Sequence, residues 1–211
     1  MSRARHRQVN QIRLLEANVD FELESGVTSF GCLRGCVATV GASAEHRFSK
    51  QPRNQIELVA GLGVSGDAHF GSTMQHRSRL PHSAGQPNSR QVHLLQDELL
   101  KELASLGFRV EPGDLGENIL TSHVPLLDLP QRARLHMGGA IVELAGLRNP
   151  CLQIENFRTG LLAAVLGRAS DGQLVRKAGV MATVLKGGAV RAGDAIEIEL
   201  PEPPHIALAP V

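Results

Sequence analysis

Apolar and polar positions alternate along much of this chain, and helical stretches are few, two inside the main domain and a short third, LLEANVDFEL (14–23), before it. AIEIEL (195–200) puts Ile196, Ile198 and Leu200 on one face and Glu197 and Glu199 on the other. That period of two is the mark of a half-buried strand. ENILT, ARLHM, AIVELAG and VMATVL are further short strand-like runs, and CVATV (36–40), IELVAGL (56–62) and RQVHLL (90–95) add more in the first half. QDELLKELASLG differs. Leu99, Leu100, Leu103 and Leu106 recur there at helical spacing, and Gly107 stands where a helix end wants a residue free to adopt positive φ. A second helix is predicted over roughly residues 156–167, containing GLLAAVLG. Gly138-Gly139, Gly187-Gly188 and Gly193-Asp194 punctuate the strands as turns. The pattern predicts a mainly β chain with a few helices (α+β), its sheet a closed or partly closed barrel that spares so many short strands their open edges.

Three regions follow from the same pattern. Residues 1–30 form a charged N-terminal extension without a clean period, residues 31–200 one domain, and residues 201–211 a proline-rich, irregular tail. Inside the domain, residues 73–89 are polar and rich in turn formers, which predicts a long loop. Loops of that length in compact domains are usually functional or disordered, and a lid over a pocket is one expectation.

Composition narrows the classes. At 211 residues the chain buries enough surface to fold without disulfide staples. Net charge is +1, with no Trp, no Tyr and six Phe. Neither a basic face nor base-stacking aromatics mark a nucleic-acid binder. Three cysteines make no disulfide framework and predict a reducing, cytoplasmic setting. No run of about 18 apolar residues spans a membrane. Arg3, Arg5, Arg7 and Arg13 precede the first acid, Glu16; a solvated arm, a targeting segment and a start placed too early all fit.

The candidate chemistry sits in four motifs. GDLGEN (113–118) sets Gly113 and Gly116 around an acidic pair. It is either a tight turn or a ligand-facing loop whose glycines let backbone N–H groups approach an anion, with Glu117 and Asn118 orienting a polar ligand. SGDAHFG (65–71) pairs Asp67 with His69. A hydrogen-bonded loop and a metal site are the two readings, and the spacings to His76, His82 and His93 match no standard zinc pattern. Cys32 and Cys36 form a CxxxC that reads as structural or incidental. GLRNPC (146–151) places Cys151 behind a proline at a strand end, with Arg148 and Arg158 near in sequence. A buried small hydrophobe and a functional thiolate both suit it, the second because Pro150 stiffens the approach and nearby positive charge favours thiolate. Arg176 and Lys177, before VMATVL, become ligand groups only if they face the Cys151 pocket.

GDAH, RQVHLL, PGDLGEN, RNPC, RKAGVMA and GGAVRAGD, in that order, resemble a MOSC domain. This is the C-terminal domain of molybdenum cofactor sulfurases, found also as stand-alone bacterial proteins. The resemblance covers about residues 32–200. It implies a β-barrel fold and a functional Cys151, ligating the molybdenum of a molybdenum cofactor (molybdopterin) or carrying sulfur as a persulfide. In the second role a pyridoxal phosphate-dependent cysteine desulfurase would be a separate partner. For the cofactor's phosphate the resemblance points to Arg148, Arg176 and Lys177, with Glu117 and Asn118 near the pterin. An alternative is a molybdenum-dependent reductase of N-hydroxylated compounds fed by an electron-donor protein. Another is a non-catalytic barrel that serves as an interaction module.

Overall fold

The computed structural model describes residues 35–73, 85–168 and 172–211. In chain order its elements are β1 Cys36–Ala42, β2 Gln51–Arg53, β3 Gln55–Val59, β4 Gly63–Val64, β5 Val92–Gln96, α1 Asp97–Ser105, β6 Ile119–Ser122, β7 Arg134–Met137, β8 Ala140–Leu147, α2 Leu152–Phe157, α3 Leu161–Ala164, β9 Leu166–Arg168, β10 Leu174–Arg176, β11 Val180–Lys186, β12 Gly188–Arg191 and β13 Ile196–Glu199. The fold is thus mainly β with three helices among the described residues. The predicted N-terminal extension, Cys32, the middle of the 73–89 loop, His76 and His82 lie outside these residues.

Eight strands form one sheet in the order β13-β7-β8-β11-β5-β6-β1-β2, and β12-β3-β4 form a second. Among the described residues the ladder does not close, so of the closed and partly closed forms expected the closed one is not found. The two ends of the sheet are stitched by an isolated bridge between Cys36 and Ala195. Val37 N–H donates to Asp194 O and Ile196 N–H donates to Gly35 O, at 2.9 and 2.8 Å. β2 occupies the rest of that edge of β1, pairing with Val40–Ala42, and so leaves no full length for a closing strand.

VHLLQ in β5 is apolar on both faces because both are covered. Val92 and Leu94 join the large core inside the sheet, while Leu95 joins a second core under the helices. β5 pairs in parallel with β6, and a parallel pair needs a crossover, which α1 supplies. α1 seals the second core with Leu99 and Leu103, each buried leucine contributing about 1.5–3 kcal/mol. Asp97 and Glu98 in its first turn complement the helix dipole. The predicted stop is met: Gly107 has φ 86°, Gly107 N–H donates to Ala104 O, and Phe108 N–H donates to Leu103 O. This is a Schellman ending. Leu106 before it is 57% exposed and Leu100 partly buried, so two of the four leucines, Leu99 and Leu103, are buried.

Two other expectations are corrected. The helix predicted over residues 156–167 is two short helices, α2 and α3, parted where Arg158 is extended and Gly160 is left-handed. Leu166 and Gly167 already belong to β9. In β13 only Ile196 is buried, whereas Ile198 and Leu200 are exposed. β13 is the last strand of the sheet, and beyond the stitch at Ala195 and Ile196 its one ladder among the described residues is with β7. Its alternating pattern outruns the core it would face.

Candidate functional site

The site begins where β8 ends. Arg148 N–H donates to Gly179 O at 2.9 Å, so its backbone is still held by the sheet side of β11. Its side chain turns inward and is buried. The guanidinium stands 5.8 Å from the Phe48 ring centroid, and its Nη1 meets no hydrogen-bond partner. Burial lowers its pKa, opposed by Cys151 and Glu117. An arginine so placed stays a cation. Asn149 and Pro150 then carry the chain out to Cys151, which is extended (φ −134°), half-exposed and the residue before α2. Its thiol donates to Gln153 Oε1 at 3.6 Å.

Arg148 looks into a cavity of about 130 Å³. Four cations line it, Arg47, Lys50, Arg90 and Arg148, together with His46, His69 and His93. Among the described residues no carboxylate lines it. Gly116, Asn118 and Gln153 also reach its wall, so the cavity touches both the GDLGEN loop and the hydrogen-bond partner of Cys151. His93 is buried, its Nε2 2.8 Å from Ala178 O. Burial first, then the charge of Arg148, pushes its pKa well below the usual histidine value, so it is neutral at pH 7.

Asp67 lies behind Lys50 as a hydrogen-bond hub. Oδ2 accepts from Lys50 Nζ, Ser43 N–H and Asn118 Nδ2; Oδ1 accepts from His69 N–H at 3.0 Å and lies 3.2 Å from His69 Nδ1. Burial alone would raise this carboxyl. The bonds from His69 and the charge of Lys50 overcome that and hold it well below the usual carboxylate range. The SGDAHFG motif is therefore a hydrogen-bonded loop that presents His69 to the cavity. Among the described residues no group of three or more His, Cys, Asp and Glu could hold a metal ion.

GDLGEN is a tight turn as well as a wall of the cavity. Gly113 and Gly116 have φ of 90° and 80°. A Cβ at either would lie 2.4 Å from a backbone oxygen, of Lys50 and Phe48 respectively. Lys50 N–H donates to Gly113 O at 2.8 Å. The turn thus grips the segment that carries Phe48 and Lys50. Its own N–H groups are spent internally: Gly113 on Glu117 Oε1 at 2.5 Å, Gly116 on Gly113 O at 3.0 Å. These glycines do not offer an anion cradle. Glu117 is buried with Oε2 unpartnered, and burial raises its pKa. Asn118 accepts from His93 N–H through Oδ1 and donates through Nδ2 to Gly41 O as well as to Asp67.

Of the cations expected around Cys151, only Arg148 enters the cavity. Arg176 Nε donates to Asn149 Oδ1 at 3.2 Å and so braces the Asn149-Pro150 turn from outside. Lys177 pairs with Glu102 on α1 and is turned away. Arg158 closes α2. The cations that do line the cavity, Arg47, Lys50 and Arg90, come from loops far apart in sequence and escaped the reading by motif. The one signal was proximity to motifs: Arg90 opens RQVHLL, and HRFSK precedes β2.

A family model described as the MOSC domain matches residues 66–197. No curated protein matches. Among solved structures, YuaD from Bacillus subtilis is 25% identical, with a TM-score of 0.67 over 80% of this chain and 97% of that one. YiiM from Escherichia coli is 16% identical, covering 81% of this chain and 73% of that one at a TM-score of 0.53. YiiM from Geobacillus stearothermophilus is 15% identical, covering 82% and 77% at 0.53. Both YiiM likenesses speak to the fold alone. With the model spanning more than half of its length, the chain belongs to the MOSC domain family.

Proposed function

We propose that this protein holds the molybdenum cofactor, or handles its sulfur, with the phosphate in the cationic cavity and Cys151 as the reacting thiol. The observation that carries the reading is the buried, unpartnered Nη1 of Arg148, facing a cavity that four cations and, among the described residues, no carboxylate line. A buried donor left unsatisfied costs about 1–3 kcal/mol. A phosphate oxygen satisfies it, and an Arg fork suits phosphate geometry. When bound, the cofactor supplies a metal centre that a soft thiolate ligates well.

Each residue then has a task. Arg148 and Lys50 bind the phosphate, with Arg47 and Arg90 adding charge. Neutral His93 and Asn118 add no charge to the wall, and their internal hydrogen bonds to Ala178, Gly41 and Asp67 keep it in place. Glu117 and the two glycines of GDLGEN hold the loop that carries Phe48 and Lys50. Arg176 steadies Asn149, and with it the approach to Cys151. Half-exposed Cys151 is reachable from outside, which suits sulfur exchange: its thiolate attacks the outer sulfur of a partner's persulfide, that S–S bond breaks, and the partner leaves as thiolate. The partner would be a pyridoxal phosphate-dependent cysteine desulfurase. Reduction of N-hydroxylated compounds would use the same site with an electron-donor protein.

Co-expression in a cofactor-producing host, followed by assay of molybdenum, pterin and persulfide, tests the reading. The wild type is expected to retain cofactor or Cys151 persulfide. Arg148→Met is expected to lose the cofactor, and Cys151→Ala to lose metal and persulfide. Equal content in all three proteins sinks the assignment.

A further inference from the structure

Composition marks the last eleven residues as an irregular tail, yet hydrogen bonds build them into the frame of the site. The register of β8 with β7 ends at Glu143. Leu144 still exchanges backbone bonds with Arg132 and Ala133, but Leu147 lies beyond that partner. The tail takes over there. Leu147 N–H donates to Ala209 O at 2.8 Å, and Val211 N–H donates to Leu147 O at 3.1 Å. Leu147 thereby bridges Pro210 in parallel. Gln131 N–H, donating to Ile206 O at 2.8 Å, anchors the start of the same segment.

Gly146 makes the docking possible. A Cβ there would stand 2.4 Å from Ala209 O and 2.5 Å from Val211 Cγ1. On the following residue, Arg148 N–H is taken by Gly179 O. The chain just before Cys151 is therefore clamped from both sides, by the tail and then by Gly179. The tail also holds a second residue of the cavity's lining: Arg90 Nη1 donates to Val211 O at 3.3 Å.

We propose that residues 206–211 are a positioning strap for the cationic cavity, fixing Arg148 through Leu147 and Arg90 through Val211. The proposal rests on reading that cavity as an anion site. It makes Gly146, Ala209 and Val211 positioning residues, none of which touches the ligand. It also makes the strap the element whose release would loosen Arg148 and Arg90 together.

Two substitutions in the full chain test it. Gly146→Ala pushes the strap off by its methyl group, and Val211→Pro deletes the N–H that Leu147 receives. Orthophosphate affinity and the iodoacetamide alkylation rate of Cys151, mapped by mass spectrometry, are measured well below the melting temperature. Val190→Ala, a core truncation in β12 outside the cavity, serves as a control for lost stability. Both strap variants are expected to bind orthophosphate at least about fivefold more weakly, because two of its cations lose their anchors. Both are expected to alkylate at least about threefold faster, through local opening of the Cys151 segment. The control is expected to do neither. Wild-type affinity and alkylation in both strap variants overturns the proposal, as does an equal change in Val190→Ala. If the wild type binds no orthophosphate, the anion reading falls and alkylation alone decides on the strap.

Discussion

Replacing Asp67 by alanine removes the acceptor that five donors share: Lys50 Nζ, the N–H groups of Ser43 and His69, Asn118 Nδ2 and His69 Nδ1. The Lys50 side chain is 5% exposed and the Asp67 side chain 2%. Breaking a buried pair by deleting one member costs about 3–5 kcal/mol, because the other charge stays buried without its counter-charge. At about 2–4 °C per kcal/mol for a domain of this size, Asp67→Ala is expected to melt about 10 °C below wild type. Lys50→Met in the same background removes the stranded charge and is expected to recover more than half of the loss. The sign with pH is fixed by the lowered Asp67 pKa. Its stabilisation is fully present above the unfolded value of about 3.9 and is lost as pH falls toward the folded value. The gap between wild type and Asp67→Ala, measured by urea unfolding, is therefore constant from pH 7 to 5 and narrows below about pH 4. A gap under 1 kcal/mol at pH 7, or one that widens in acid, refutes the hub.

Other perturbations separate stability from function. Gly113→Ala combines a φ of 90° with a Cβ 2.4 Å from Lys50 O, and is expected to cost about 2–4 kcal/mol by urea titration. Arg148→Met replaces a buried, partly unsatisfied cation by an apolar chain of similar length, so thermal stability is expected to hold or rise while cofactor retention is lost. Lys177→Ala breaks a partly exposed pair with Glu102 and is expected to change stability by less than about 1 kcal/mol, leaving cofactor content unaltered. His93 has its pKa pushed down, so its share of stability is present above about pH 6.5 and lost in acid. Urea unfolding at pH 7.5 and 5.0 is expected to show a drop that His93→Gln makes shallower.

What the sequence reveals of this molecule is what local chemistry decides. The β5–α1 unit is legible because one face of α1 repeats Leu99 and Leu103, and because Gly107 alone suits the turn that ends it. GLLAAVLG misleads because an apolar run without period does not say whether Gly160 sits inside a helix or divides two. Cys151 and Arg148 are legible together since they share a motif. Lys50, Phe48 and Arg90 are not, because nothing in HRFSK or RQVHLL says that both segments wall one cavity. Lys177 is misplaced for the converse reason. Adjacent to Arg176 in sequence, it leaves the strand on the other side and meets Glu102.

The stitch between Cys36 and Ala195 joins the two ends of almost the entire described chain. On a ribosome adding about 5–20 residues per second, Cys36 emerges on the order of ten seconds or more before its partner. β1 can pair with β2 and β6 in that interval, but the bonds that Val37 exchanges with Gly193 and Asp194 are not yet made. An unpaired strand edge is a template for association with a neighbouring chain. During synthesis the young polypeptide therefore carries a strand edge that only the late arrival of residues 193–196 covers.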